Sequence, residues 1–157
     1  MAHKTDDFYS LKVRIVTVSS TRSEMDDITG KKMQNLLEGD GLEVSREIIK
    51  DDPTEILRVF FCNFNSDVFI YCGGTGPSKN DVTVQSVRKI AEKEMSGFGE
   101  LFRSRSGGIL PYLSNASLFS YGPREIFCIP GSSQSVDIAY PLIREMIHHL
   151  HHELIKE

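Results

Sequence analysis

The chain has 157 residues, enough for one domain that buries roughly two-thirds of its unfolded surface in a single core. Its formal net charge of −4 at pH 7 excludes a nucleic-acid surface spread over the whole molecule, although a locally basic pocket for phosphate is still compatible with it. The hydrophobic fraction of 39% is that of an ordinary globular protein, and no apolar run approaches the roughly 20 residues that span a bilayer.

Residues 1–10 predict a polar lead-in to a domain that covers residues 11–157. The lead-in lacks the apolar segment of a signal peptide, so we expect a cytoplasmic protein. The three cysteines are not at metal-ligand spacing, and Cys72 and Cys128 lie in apolar runs. They predict buried, reduced thiols and no disulfide framework.

The first half of the chain alternates strand and helix patterns. Residues 11–18 and 42–49 predict two strands that enter a buried sheet. Between them, a helical pattern follows Asp27 and ends near residue 40. A second helix is predicted after Asp52, which suits its N-cap, with Pro53 in its first turn.

The second half continues the alternation. Further strands are predicted at residues 67–72 and 126–129, and further helices at residues 82–95, 101–106 and 136–155. The segment Ser96–Gly99 is expected to break the chain between two of these helices, and residues 107–120 fit no single pattern. Strands that alternate with helices predict one three-layer α/β/α domain with a mostly parallel central sheet.

Three strand-to-helix loops are rich in glycine and hydroxyl side chains. They are Ser19-Ser-Thr21, Gly73-Gly-Thr-Gly76 and Pro130-Gly-Ser-Ser133. Ligands of parallel sheets bind beyond the carboxyl ends of the strands, and helix N-termini with nearby glycines favour phosphate. One such loop is often only a tight turn, but three at one edge predict a phosphate site. Neither the Rossmann nor the Walker A spacing is present.

Carboxylates accompany these loops. Asp51 and Asp52 follow the second strand, and Asp81 follows the glycine loop. Asp52 and Asp81 suit helix N-caps, which is the simpler interpretation. Beside a phosphate site, Asp51 or Asp52 together with Asp81 would need Mg²⁺ between them and the ligand, because bare carboxylates repel it.

Two other segments have a simple and a functional interpretation. Residues 95–103 contain two aromatics that suit the core, or they form a pocket rim that brings in Glu100 and Arg103. The last helix carries four histidines, of which His148 and His152 are four residues apart and could clamp a metal. No Glu stands between them in the HExxH arrangement, so a solvated or subunit-facing cluster is favoured.

The order of these motifs resembles the molybdopterin-binding domain of the MoaB and MogA proteins, over about residues 11–150. The matching segments are Asp27-Ile-Thr-Gly30, Lys50-Asp-Asp-Pro53, Gly73-Gly-Thr-Gly76, Asp81-Val-Thr83, Ser96-Gly-Phe-Gly-Glu100 and Pro130-Gly-Ser132. The resemblance implies transfer of AMP from Mg-ATP to the terminal phosphate of molybdopterin. It also implies a homotrimer or homohexamer, and a separate molybdate-inserting protein is a further possible partner.

The same resemblance assigns residues to roles. Asp51 and Asp81 match the carboxylates that handle Mg²⁺ and ATP and take part in catalysis. The predicted substrate and phosphate contacts are Ser19, Gly73, Gly74, Thr75, Gly76, Thr83, Pro130, Gly131 and Ser132.

The sequence departs from the family at two arginines, which are replaced by Asn80 and Asn115. Lys79 or Arg103 could supply the missing cation, although Lys79 is equally explained as a solvated surface residue. Two alternatives therefore stand beside the adenylyltransferase. One is a binding module that holds a pterin or nucleotide without efficient turnover. The other is a relative of the competence-damage protein domain, against which the short single-domain chain counts.

Overall fold

The computed structural model describes residues 10–157, which form six strands and five α-helices. The strands are β1 (Lys12–Val18), β2 (Glu43–Ile49), β3 (Val68–Cys72), β4 (Lys93–Glu94), β5 (Ser117–Tyr121) and β6 (Arg124–Ile129). The helices are α1 (Ile28–Gly39), α2 (Pro53–Phe61), α3 (Thr83–Arg88), α4 (Ser96–Arg105) and α5 (Ser133–Ile155), with a short 3-10 helix at Leu110–Leu113. All of the predicted lead-in except residue 10 lies outside the described residues.

The strands form one sheet in the order β2-β1-β3-β6-β5-β4. The first four strands of that order are parallel, whereas β5 is antiparallel to both β6 and β4. Apolar clusters cover both faces of the sheet: α1, α4 and α5 pack on one face, and α2 and α3 pack on the other. The predicted three-layer fold with a mostly parallel sheet is confirmed. None of the helices between residues 10 and 157 has the length and apolar character to cross a bilayer.

The predicted helix over residues 82–95 is wrong in its second half. α3 ends at Arg88, and the chain then pairs with β5 as the short edge strand β4. The backbone N–H of Glu92 donates to Ser120 O at 2.8 Å, and that of Met95 donates to Leu118 O at 2.8 Å. These bonds to a distant strand replace the helical bonds that the local apolar pattern favours.

The predicted break at residues 96–99 is also wrong, because these residues form the first turn of α4. A glycine costs about 1 kcal/mol in a helix relative to alanine. Glycine is required at position 99 because α4 lies very close to the segment before β5. A Cβ at this position would lie 2.2 Å from Ala116 O. Phe98 and Phe102 are buried, as their interpretation as core residues predicts.

Residues 107–120, which fit no single pattern, contain most of β5. This strand forms a hairpin with β6, in which Tyr121 pairs with Arg124 across the two residues Gly122 and Pro123. Gly122 has a φ of +55°, as a tight hairpin turn requires. The Gly-Pro pair between two apolar runs was the sequence signal for this hairpin.

Candidate functional site

The three glycine- and hydroxyl-rich loops meet at the carboxyl edge of the sheet, as predicted. The Gly73 N–H donates to Ile129 O at 2.8 Å, which joins the ends of β3 and β6. A Cβ on Gly131 would lie 3.4 Å from Gly73 Cα, and a Cβ on Gly73 would lie 2.3 Å from Val18 O. Gly73 therefore touches the ends of both neighbouring strands, and a side chain at this position would not fit.

Thr83, the first residue of α3, holds the glycine loop in shape. Its hydroxyl donates to Gly73 O at 2.8 Å, and its N–H donates to Gly74 O at 3.1 Å. Gly74 has a φ of +69°, and a Cβ there would lie 2.2 Å from the Thr83 hydroxyl oxygen. The Thr83 side chain is fully buried, so in this structure it shapes the loop from beneath.

Two adjoining cavities open at this edge. One, of about 260 Å³, lies between the glycine loop and the last loop, and its walls include Gly74, Thr75, Gly76, Asp81 and Gly131. The other, of about 590 Å³, has the apolar side chains Phe102 and Ile138 in its wall, together with Ser132. The two cavities share Leu110, Ser114 and Pro130. The site is thus a small pocket with backbone and carboxylate walls beside a larger and more apolar one.

The carboxylates differ in what holds them. Asp52 is the N-cap of α2, where it accepts a hydrogen bond from Thr54 N at 2.8 Å. Asp81 does not cap α3; its Oδ2 accepts from Ser78 N at 3.0 Å, within the turn before that helix. Asp51 Oδ2 accepts from both the N–H and the hydroxyl of Ser20, at 3.0 and 2.8 Å. All three carboxylates are therefore held through one oxygen, but only Asp52 caps a helix.

The arrangement fits a hydrated Mg²⁺ better than a metal held by the protein alone. Asp51 follows β2 directly, whereas Asp81 lies in the turn between β3 and α3. Within residues 10–157, no three His, Cys, Asp or Glu side chains are grouped so that they could hold a metal. Mg²⁺ commonly binds one or two carboxylates together with waters and substrate phosphates, and each of these aspartates is of the residue type that suits such binding.

The first loop brings a cation to this edge that sequence reasoning missed. Ser19 accepts a hydrogen bond from Arg22 N at 3.1 Å, which turns the loop back on itself. The Arg22 guanidinium then reaches the last loop, where Nη1 donates to Gly131 O at 2.9 Å. Thr29 donates to the same carbonyl at 2.8 Å. The only signal in the sequence was a single basic residue inside a hydroxyl-rich loop.

The two predicted cations are placed differently. Arg103 uses Nη1 to donate to Ser114 O at 3.3 Å and Ala116 O at 3.0 Å, which ties α4 to the segment before β5. Lys79 is exposed on the turn before Asp81, and Glu100 is exposed on α4. Arg103 is thus next to the shared wall of the cavities, although its guanidinium is engaged with the backbone.

The cysteines and histidines between residues 10 and 157 belong to no group that could hold a metal ion. All three cysteines are free, as predicted, with Cys72 and Cys128 buried and Cys62 exposed. Burial raises the pKa of the Cys72 thiol to about 12, so this residue beside the glycine loop stays protonated and is a poor nucleophile at neutral pH. Of the histidines on α5, His151 is buried and His149 is exposed.

Residues 14–149 match the family described as "Probable molybdopterin binding domain". The chain belongs to this family. A Bacillus cereus relative, Molybdenum cofactor biosynthesis protein B, is 37% identical over 164 residues, which cover 99% of this chain and 97% of the relative. These similarities support a role in molybdenum cofactor biosynthesis.

Solved structures agree with this assignment. A crystal structure of a Molybdenum cofactor biosynthesis protein B has a TM-score of 0.89 and 37% identity, and the match covers 95% of this chain and 98% of that one. The protein CinA from Thermoplasma acidophilum, of unknown function, has a TM-score of 0.62 at 17% identity over 90% of this chain and 98% of its own. The second likeness shows a shared fold alone.

Proposed function

We propose that the protein transfers AMP from Mg-ATP to the terminal phosphate of molybdopterin. The observation that carries this proposal is the pair of adjoining cavities at the edge where the three loops meet. The smaller one offers glycine backbone and Asp81 to phosphate groups. The larger one, with Phe102 and Ile138 in its wall, suits a flat pterin ring.

The proposed reaction needs positioning and charge compensation more than covalent help. An oxygen of the pterin phosphate forms a bond to the α-phosphorus of ATP. The bond from that phosphorus to the oxygen that bridges the α- and β-phosphorus atoms breaks, and pyrophosphate leaves with that oxygen. The protein must hold two polyanions in line. The first turn of α5 leaves backbone N–H groups without helical acceptors, and its N-cap Ser132 adds a hydroxyl at the wall of the larger cavity.

Asp51 and Asp81 are the proposed residues for Mg²⁺ and ATP. When bound, Mg²⁺ would offset the negative charge of the polyphosphate. The Ser20 and Ser78 backbone N–H groups keep one oxygen of each carboxylate in place. This orientation prepares the carboxylates to meet a ligand without reorganisation, which is how preorganised sites gain rate.

A binding module without efficient turnover is the second candidate. It is favoured by Asn80 and Asn115, which stand where the family pattern has arginines.

Incubation of the purified protein with molybdopterin and Mg-ATP separates the two functions. The transferase forms adenylylated pterin and pyrophosphate in equal amounts, detectable by mass spectrometry and a pyrophosphate assay. The binding module retains the pterin in equilibrium dialysis but forms neither product.

The proposal includes assembly into a homotrimer or homohexamer, and release of the product to a separate molybdate-inserting protein. An exposed apolar patch lies beside the two cavities. Its side chains are 58 to 80% exposed and belong to Ile109, Leu110, Tyr112 and Leu113. Such an apolar patch on a water-exposed surface favours contact with another protein surface. Sedimentation equilibrium tests the assembly, and a monomer at micromolar concentration would contradict it.

A further inference from the structure

A third cavity lies between the first loop and the end of β2. It measures about 510 Å³, and its walls include Ser19, Ser20, Arg22 and Lys50, together with two glutamates. Both glutamates already form ion pairs with other arginines. Glu24 forms an ion pair with Arg46, and Glu47 forms ion pairs with Arg14 at 3.2 Å and Arg58 at 2.8 Å. Arg22 and Lys50 are therefore not the ion-pair partners of the two glutamates in this wall.

Arg22 differs from these other arginines in having no acidic partner. In the part of the chain that the structure describes, none of the ion pairs includes it. Its guanidinium is nevertheless held in place, because Nη1 donates to Gly131 O at 2.9 Å and to the Thr29 hydroxyl at 3.3 Å. Both bonds use Nη1. The charge and the remaining N–H groups are left for a ligand.

We propose that Arg22 binds a phosphoryl group of the nucleotide's polyphosphate chain, and so supplies the cation that Asn80 and Asn115 do not. The inference rests on the proposed function, since it names the group that receives the phosphates of ATP. A guanidinium presents a planar fork of donors that matches phosphate oxygens. Arg22 is two residues from Ser20, which orients Asp51, so the cation and the proposed Mg²⁺ carboxylate border the same loop.

Inorganic pyrophosphate, with Mg²⁺, is the probe for this proposal, and isothermal titration calorimetry measures its affinity. We expect Arg22→Gln to weaken binding about ten- to a hundredfold, as the loss of a charged hydrogen bond does. Arg22→Lys keeps the charge but loses the fork, and should weaken binding by a smaller factor. Wild-type affinity should fall as NaCl is added, with a shallower dependence in Arg22→Gln.

Two controls separate ligand contact from other effects. Arg144→Gln makes the same charge change at a side chain that is 63% exposed and next to Asp40. Thr29→Val removes the other side-chain donor to Gly131 O, and so tests whether Arg22 acts only by positioning that loop. We expect Arg144→Gln to bind pyrophosphate within about threefold of wild type, because it does not remove the proposed contact. Thr29→Val also removes the longer of the two bonds that hold Arg22, and should weaken binding by a smaller factor than Arg22→Gln.

Several outcomes overturn the proposal: no pyrophosphate binding by wild type, unchanged binding by Arg22→Gln, or a loss in Thr29→Val as large as in Arg22→Gln. If Arg22→Gln does not fold, as judged by circular dichroism, Arg22→Lys decides, and wild-type affinity in that variant counts against the contact. Pyrophosphate binding requires no turnover. A wild-type protein that binds it through Arg22 but makes no adenylylated pterin contradicts the proposed function alone.

Discussion

The Thr83 hydroxyl donates a 2.8 Å hydrogen bond to the carbonyl of Gly73, and this bond joins the start of α3 to the glycine loop. Both residues are buried, so the bond is shielded from water. The loop therefore takes its shape from the helix that follows it as much as from its own glycines. A buried hydrogen bond of this kind is costly to leave unmade, because the carbonyl would lose its partner without gaining water.

Gly74→Ala should destabilise the protein by about 2–3 kcal/mol. The added methyl carbon would lie 2.2 Å from the Thr83 hydroxyl oxygen, which weakens the hydrogen bond of that hydroxyl. The φ of +69° adds the free-energy cost of a left-handed backbone conformation for alanine. Urea denaturation measures the change. Gly97→Ala is the matched control, since no atom lies within 4 Å of its added Cβ, and it should leave α4 unchanged or slightly more stable. Equal effects of both substitutions would contradict this account.

Arg46→Ala should cost about 3–5 kcal/mol in the free energy of unfolding. Arg46 donates to Asp27 Oδ2 at 2.7 Å, and the Asp27 side chain is fully buried, where it also caps α1 through Gly30 N. Removing the arginine leaves the Asp27 carboxylate buried without a counter-charge, and an unpaired buried charge strongly destabilises the folded state. Arg58→Ala removes ion pairs with Glu47 and Glu55 in which the arginine is 42% exposed, and should cost no more than about 1 kcal/mol in the same urea titration. Similar losses in both variants would show that Arg46 makes no special contribution.

Glu125 should make the protein less stable as the pH rises. The residue is fully buried, neither carboxylate oxygen has a hydrogen-bond partner among residues 10–157, and burial, followed by the nearby charge of Asp67, raises its pKa well above the usual range. The folded state therefore keeps this proton where the unfolded state, with a pKa of about 4.3, has lost it. Stability from this group is full below about pH 4.3 and falls by up to about 1.4 kcal/mol per pH unit until the folded pKa is reached.

Glu125→Gln checks this linkage because glutamine does not titrate. The stability of the variant relative to wild type, measured by urea denaturation at pH 5, 6, 7 and 8, should increase with pH. Glu92→Gln, at an exposed position, should show no such trend. A constant difference between Glu125→Gln and wild type across this pH range would mean that Glu125 does not titrate with a raised pKa.

Asp51→Asn and Asp81→Asn should each lower AMP transfer about a hundredfold or more, with a much smaller effect on pterin binding, because the proposed task of both carboxylates is to hold Mg²⁺ and ATP. The measurement is the rate of pyrophosphate release, beside dialysis of the pterin. Asp52→Asn makes the same change one residue away at a helix cap, where asparagine serves equally well, and should keep the wild-type rate. Wild-type turnover in either of the first two variants removes that residue from the proposed catalytic pair.

Lys79→Ala should change the affinity for Mg-ATP less than twofold, since Lys79 is exposed and Arg22 is the proposed cation. Asn80→Arg should tighten binding, because it places a guanidinium directly before Asp81, where the family pattern has one. Isothermal titration of both variants with Mg-ATP gives the comparison. A tenfold loss in Lys79→Ala would return Lys79 to the site, and weaker binding in Asn80→Arg would show that this turn faces away from the phosphates.

Local sequence patterns were sufficient to predict those helices and strands that depend on residues close together in the chain. The apolar run of β3, for example, is long enough to be buried on both faces and is followed at once by glycines. A run like this predicts a central parallel strand and a loop at its carboxyl end. Asp52 and Pro53 likewise predict the start of α2, because capping involves only the first turn of the helix. The alternation of strands and helices then predicts that the three loops lie at one edge of the sheet.

Other features depended on residues far apart in the chain, and only the tertiary structure decided them. α3 stops at Arg88 because β5 supplies hydrogen bonds to the segment after it. The roles of Arg22 and Arg103 were decided in the same way, since Arg22 reaches Gly131 across 109 positions and Arg103 turns to the backbone before β5. A long side chain can reach many neighbours, and the residues next to it in the sequence do not indicate which of them it contacts. The strand order of the folded sheet determines which loops lie together, and so which partner is within reach.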